Sequence, residues 1–185
     1  MARSAKTKRK MIDKVLISFG VVATVVLIGM GGLAWWTYSF TSSNVHSELA
    51  AQKIYFPPKG SPALASPQIG PYLNQYAGQQ LLTGPQAKAY ANHFIAVHLS
   101  EIASGKTYAE VSSESLANPT NAQLKQQAQT LFQGETLRGL LLGDAYAFAT
   151  IGQIAKIVAY VLFIAAVVML VLVLMGLAHL SQISG

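Results

Sequence analysis

Two stretches of this chain lack charge altogether, and between them apolar and polar positions recur at helical spacing. Residues 15–36, VLISFGVVATVVLIGMGGLAWW, form the first stretch, and residues 157–178, IVAYVLFIAAVVMLVLVLMGLA, form the second. At about 1.5 Å per residue each covers roughly 33 Å as a helix, enough for a hydrocarbon core of about 30 Å. Both read as membrane-spanning helices. The first is longer than the roughly 7–15-residue apolar region of a cleaved signal. It also runs into Trp35, Trp36 and Tyr38, amphipathic rings that suit the headgroup layer. An uncleaved signal anchor over residues 15–38 is predicted, with a second span over 157–179.

The intervening residues, 39–156, read as helical. Residues 41–53 extend the first helix with a polar face. Residues 54–71 then hold Pro57, Pro58, Pro62, Pro67 and Pro71. Proline removes amide donors and fixes φ, so this piece is expected to be an irregular wrap or spacer. Thr83 and Pro85 open a helix running to about residue 103, with Tyr90, Phe94, Val97 and Ile102 near one stripe. Thr107 and Glu110 have capping-box spacing for a short helix through residue 116, and Asn118–Pro119 ends it. A further helix over 121–133 is expected to bury Leu124, Ala128, Leu131 and Phe132, with Gly134 as punctuation. From about residue 135 one long helix is expected to run into the second span to about residue 179. Its Leu137, Leu141, Ala145 and Phe148 keep helical spacing, and no proline interrupts it. The predicted fold is all-α: two transmembrane helices flanking a small extracytoplasmic helical bundle, the last outer helix continuous with the second span. Period-two alternation, the mark of strands, is lacking.

Charge sets the orientation. The chain carries +6 overall. Residues 1–14 hold Arg3, Lys6, Lys8, Arg9, Lys10 and Lys14 against Asp13 alone, whereas the basic and acidic residues of 41–150 balance. The basic tail is expected in the cytoplasm by the positive-inside rule, and the second span returns residues 180–185 to the same side. With no basic excess in the folded part, a nucleic-acid partner is not expected. The expected location is the cytoplasmic membrane, with residues 39–156 outside.

Composition then limits the chemistry. Cysteine is absent, so no disulfide, thiolate metal site or cysteine nucleophile is available. His93 and His98 fall about 140° apart around a helix and do not form a metal pair. His98 and Glu101 share a face, as half of a metal or acid–base site would, but their spacing reads first as a local contact. No nucleophile elbow or phosphate-binding loop occurs. Neither span holds an ionisable residue, which disfavours an ion path built by this chain alone. Gly29, Gly31 and Gly32 lie inside the first span, where small residues allow helices to approach. Gly29 and Gly32 are taken as the contact positions. Glu135 and Arg138 are spaced for an intrahelical ion pair.

The segments LFQGETLRGLLLGDAYAFATIGQIA (131–155) and HFIAVHLSEIASGKTYAEVS (93–112) resemble a group of two-span actinobacterial membrane proteins of unknown function. These share a basic N-terminal tail, an external helical segment and a second span near the C-terminus. The resemblance implies a location in the cytoplasmic membrane and no assigned activity, cofactor or metal.

The function expected is that of a noncatalytic membrane protein, an accessory or scaffold subunit whose partners are the bilayer and another membrane protein or a second copy. The alternative is an extracytoplasmic module for a lipid-like or small apolar ligand, lined by Tyr90, Phe94, Phe132, Tyr146 and Phe148. An enzyme using His98 and Glu101 ranks last.

Overall fold

The computed structural model describes residues 2–184, with side chains over 8–182. The side chains of Arg3 and Lys6 lie outside the described residues. The described chain is all-α. Its helices are α1 (Ala2–Gln52), α2 (Gly70–Leu73), α3 (Gly84–Tyr90), α4 (Ala96–Ile102), α5 (Tyr108–Ala117), α6 (Ala122–Leu140) and α7 (Phe148–Ser184). Two π-helical segments join neighbours without a break: Ala91–Ile95 between α3 and α4, and Leu141–Ala147 between α6 and α7. The chain divides into two compact units, Thr41–Ile151 on one side of the division and Met1–Phe40 with Gly152–Gly185 on the other.

The second of these units is an antiparallel pair formed by α1 and α7. Among the described residues two helices are long and apolar enough to cross a membrane, over Lys8–Gln52 and Ala122–Gln182. Only 11% of the first helix's most apolar window and 17% of the second's is buried within the chain. A core helix of a water-soluble protein hides such a surface; these helices show it. What they do bury follows a heptad. On α1 the shielded positions include Ile17, Gly20, Thr24, Leu27, Gly31, Ala34 and Tyr38. On α7 they include Gly152, Ala155, Ala159, Leu162, Ala166, Met169, Val173 and Gly176. Alternating steps of three and four give a 3.5-residue period, the seam of a left-handed helix pair.

Register follows from named contacts. A Cβ on Gly176 would meet Ile17 at 3.0 Å, one on Gly20 would meet Val173 at 2.6 Å, and one on Gly31 would meet the Phe163 ring at 2.8 Å. Farther along, Trp35 and Tyr160 pack edge-on at 5.9 Å, and the Lys156 ammonium lies 4.9 Å from the Tyr38 ring centre. Because lipid tails are as apolar as leucine, backbones that approach this closely gain dispersion contacts that lipid would not supply as well. The polar residue in this seam, Thr24, is buried yet satisfied by donating to Gly20 O at 2.8 Å.

The Thr41–Ile151 unit builds its core from short helices. At residue 53 the chain leaves α1 in the left-handed region, with Lys53 at φ 53°. Residues 54–57 then run beside 78–81: Phe56 N donates to Gln79 O at 2.9 Å, Leu81 N to Ile54 O at 2.9 Å and Gly78 N to Pro57 O at 3.0 Å. This fastens the proline-rich piece as a wrap, which buries Phe56, Leu64 and Ile69. At about 1.5–3 kcal/mol for each large apolar side chain withdrawn from water, these three are a substantial share of a small core. Capping boxes at Thr83/Gln86 and Thr107/Glu110 open α3 and α5, and Asn121 caps α6.

The structure revises the expected helix boundaries and faces. The last long helix begins at Ala122, and Gly134 sits within it. There the missing side chain makes room for Leu99, whose methyls would collide with any Cβ at 134; close packing, not chain breaking, explains that glycine. On α3–α4 the buried face is Ala87, Ala91, Ile95, Leu99 and Ala103, while Tyr90, Phe94 and Val97 pack partly against it and Ile102 faces outward. The π segment adds a residue to the turn, which shifts the phase of the stripe from the α-helical expectation. Leu131 is buried in α6, but Phe132 is exposed and pairs with Tyr108 at 5.8 Å.

Candidate functional site

Two arrangements stand out, one in each unit. In the antiparallel pair, Gly31 and Gly20 carry the contact within the chain, and a Cβ on Gly29 or Gly32 would meet nothing within 4 Å. The expected contact positions 29 and 32 are therefore open faces of this chain. Heptad phase is the reason: a seam that passes through residues 24, 27, 31 and 34 leaves 29 and 32 turned away from it. The signal was present as residue size at 3.5-residue spacing, invisible in hydropathy because every side of the helix is apolar. Trp35 and Tyr38 are half engaged, ring against ring at 5.6 Å, and exposed Trp36 stacks on Phe40 at 5.6 Å. These rings and Lys156 form a belt at one end of the pair. Lys8, Arg9, Lys10 and Lys14 lie at the other end, most of them exposed.

In the Thr41–Ile151 unit the two π segments put chemistry on one face. His93, from Ala91–Ile95, stacks face to face on Tyr72 with ring centres 3.5 Å apart and planes 6° from parallel. Tyr146, from Leu141–Ala147, accepts a hydrogen bond from Lys88 Nζ at 3.1 Å, and the ammonium lies 4.6 Å from its ring centre. Helices α3 and the second π segment can approach because residue 84 is glycine: a Cβ there would strike Ala149. Together Tyr72, Gln75, Pro85, Lys88, Ala89, His93 and Tyr146 line an open cleft of about 340 Å³. The Lys88 hydrogen bond, and then its charge, hold the Tyr146 phenol below its ordinary pKa. No carboxylate pairs with Lys88 among the described residues. A solvated π-face beside an unpaired ammonium and a polarised phenol can hold a flat group and an anionic oxygen. π segments inside α-helices recur at such sites.

The other sequence candidates separate. His98 Nδ1 is 2.7 Å from Phe94 O, so that nitrogen is the protonated one, and the ring rests against Phe94 at 4.4 Å. Among the described residues no third carboxylate or imidazole joins His98 and Glu101 to make a metal-ligand group. The five aromatics considered as one ligand lining do not converge. Tyr90 packs between Phe56 and Phe94, where burial raises its pKa; Phe132 lies outside with Tyr108; Phe148 packs partly on the core; and Tyr146 belongs to the cleft. The Glu135–Arg138 pair forms, at 3.1 Å, near the surface. The cleft itself was not anticipated: it assembles Tyr72, Lys88, His93 and Tyr146 from distant points of the chain, and no local spacing marks it.

No protein-family model matches this chain, and no curated protein or solved structure does either.

Proposed function

We propose that this protein is a noncatalytic, two-span membrane protein that serves as an accessory or scaffold subunit, with both ends in the cytoplasm and residues 39–156 outside. The observation that carries this reading is the apolar surface that the α1–α7 pair leaves open. Phe19, Val22, Val25, Val26, Leu33, Ile164, Val167 and Val171 remain exposed after the seam is made. Lipid covers such a surface, and the open face at Gly29 and Gly32 permits a second membrane helix to approach as closely as α7 approaches Gly31. The cluster Lys8, Arg9, Lys10 and Lys14 supports the cytoplasmic assignment of the ends. The two-span actinobacterial proteins it resembles fit the same placement. Extraction from native membrane in a mild detergent, followed by identification of copurifying proteins, tests the reading. A stable partner or a homo-oligomer, weakened by Gly29→Val with Gly32→Val, is expected. Recovery as a lone monomer contradicts it.

A second reading, a binding module, is favoured by one observation, the Tyr72–His93–Lys88–Tyr146 cleft. Its groups suit a small aromatic or sugar-like ligand bearing an anionic oxygen, rather than a purely apolar one. Benzoate titrated against the full chain in micelles, followed by the nuclear magnetic resonance signals of Tyr72 and His93, tests it. Saturable shifts lost in Lys88→Gln support the module; shifts unchanged by Lys88→Gln refute it.

A further inference from the structure

An open groove of about 300 Å³ runs along the surface of α1 near its basic end. Lys14, Val15, Ser18, Phe19 and Val22 line it, all from that one helix. Residues four apart on a helix share a face, so 14, 18 and 22 form one row and 15 and 19 the next. Ser18 is the small member of the first row, and its size leaves a notch between Lys14 and Val22. Its hydroxyl donates to Lys14 O at 2.9 Å, so that hydrogen is already used. The apolar walls are open: Val15 is 49% exposed, Phe19 69% and Val22 61%.

The two ends of the groove differ in chemistry. The Val22 end belongs to the charge-free stretch 15–36, and Lys14 is the last charged residue before that stretch. Lys14 is exposed, and no carboxylate pairs with its ammonium among the described residues. In the two-span reading, on which this inference rests, Lys14 lies at headgroup depth. The groove then descends eight residues to Val22, about 12 Å into the acyl region. One molecule in which an anionic group is joined to an alkyl chain meets both ends at once. A free phosphate has nothing to set against the apolar length. A zwitterionic lipid brings its own cation, which competes with Lys14 for the phosphate, whereas an anionic headgroup does not.

We propose that this groove is a docking site for an anionic phospholipid. The Lys14 ammonium donates to a phosphate oxygen, and one acyl chain lies over Ser18 between Phe19 and Val22. Lys8 and Arg9 stand about 120° and 140° around the helix from Lys14. They attract the same class of lipid without touching the one in the groove.

Lipid competition on the full chain tests this. Purified protein is placed in nanodiscs of equal parts phosphatidylglycerol, phosphatidylethanolamine and phosphatidylcholine with matched chains, then released and weighed by native mass spectrometry. Retention of phosphatidylglycerol about fivefold above phosphatidylcholine is expected, the factor that one lysine near an anionic surface supports. Lys14→Gln should bring the two within about twofold. Lys8→Gln removes the same charge from another side of α1 and should leave the preference in place. Ser18→Trp fills the notch and keeps every charge, and it should lower phosphatidylglycerol retention to near the level of Lys14→Gln. Helical circular dichroism of each variant verifies the fold. Equal retention of phosphatidylglycerol and phosphatidylcholine by the native chain overturns the proposal. Equal losses in Lys14→Gln and Lys8→Gln also overturn it, because they assign the preference to the basic end as a whole. So does a preference that Ser18→Trp leaves intact, and so does phosphatidylethanolamine held as well as phosphatidylglycerol. Failure of the native chain to enter the discs overturns the two-span reading together with the lipid site; entry with equal retention overturns the lipid site alone.

Discussion

Adding a side chain at Gly31 should damage the helix pair, and adding the same one at Gly29 should not. At Gly31 the first added carbon would stand 2.8, 3.0 and 3.2 Å from three carbons of the Phe163 ring. Carbon atoms rest at about 3.5–4.0 Å, so the ring must retreat by roughly 0.7 Å before the second and third carbons of a valine are placed. Phe163 is half-buried in the seam beside Leu162 and Ala166 on its own helix. Overpacking of this kind costs about 1–3 kcal/mol. For Gly31→Val, with a branched side chain at the closest approach, the upper part of that range is expected, about 2 kcal/mol or more. At Gly29 no atom lies within 4 Å, and substitutions free of packing conflict stay within about 0.5 kcal/mol. The chain provides its own reporter, since its two tryptophans are adjacent and Trp35 packs on Tyr160 across the pair. In a Trp36→Phe background, Trp35 emission followed through a titration from mild into denaturing detergent gives the midpoint for separation of the pair. A difference of 2 kcal/mol changes the equilibrium roughly 30-fold. Equal midpoints for Gly31→Val and Gly29→Val, or a larger loss at Gly29, would refute the seam as described.

Three further outcomes follow from the Thr41–Ile151 unit. Gln86 is buried, and its Oε1 accepts from Leu82 N at 2.9 Å, Thr83 N at 3.0 Å and Thr83 Oγ1 at 3.1 Å. Gln86→Leu orphans these donors at about 1–3 kcal/mol for a buried group, so hydrogen exchange at residues 82 and 83 should accelerate at least tenfold. Gly134→Ala should lower the thermal midpoint because of Leu99, whereas Gly139→Ala, with open space around it in the same helix, should raise stability by about 0.5–1 kcal/mol. Glu110 is held below the ordinary carboxylate pKa by hydrogen bonds from the Thr107 backbone and hydroxyl. A depressed acid stabilises the fold above its unfolded pKa, and that contribution fades as pH falls through the folded value. The Thr107 amide resonance should accordingly titrate with a midpoint below 4.5 and stop titrating in Glu110→Gln.

What the sequence disclosed, and what it hid, divides by the range of the interactions. Local rules were legible: the helix start at Thr83, the capping box at Thr107, the stop at Asn118–Pro119 and the Glu135–Arg138 pair need only neighbours a few residues apart, and all of them form. Continuity of the last helix into the apolar stretch was legible too, because no residue there opposes it. Gly134 misled because a glycine needed for close approach looks the same in sequence as one that ends a helix. That Gly31 and Gly20, and not Gly29 or Gly32, carry the contact within the chain was hidden for a related reason. In a helix apolar on all sides, hydropathy carries no phase, and only the pattern of small residues through 20, 24, 31 and 34 does. The cleft of Tyr72, Lys88, His93 and Tyr146 was out of reach, since two π segments bring His93 and Tyr146 to the face of Tyr72 and Lys88 and no spacing rule predicts a π turn.

The central proposal is that the two apolar helices cross the membrane and place residues 39–156 opposite both ends. The chain has no native cysteine, so single cysteines at Met11, Ser113 and Ser181 can be probed with a membrane-impermeant maleimide on intact cells. Labelling of Ser113→Cys alone, with Met11→Cys and Ser181→Cys reacting only after permeabilisation, is the predicted result. Labelling of all three positions in intact cells, or of Met11→Cys without Ser113→Cys, would contradict the account.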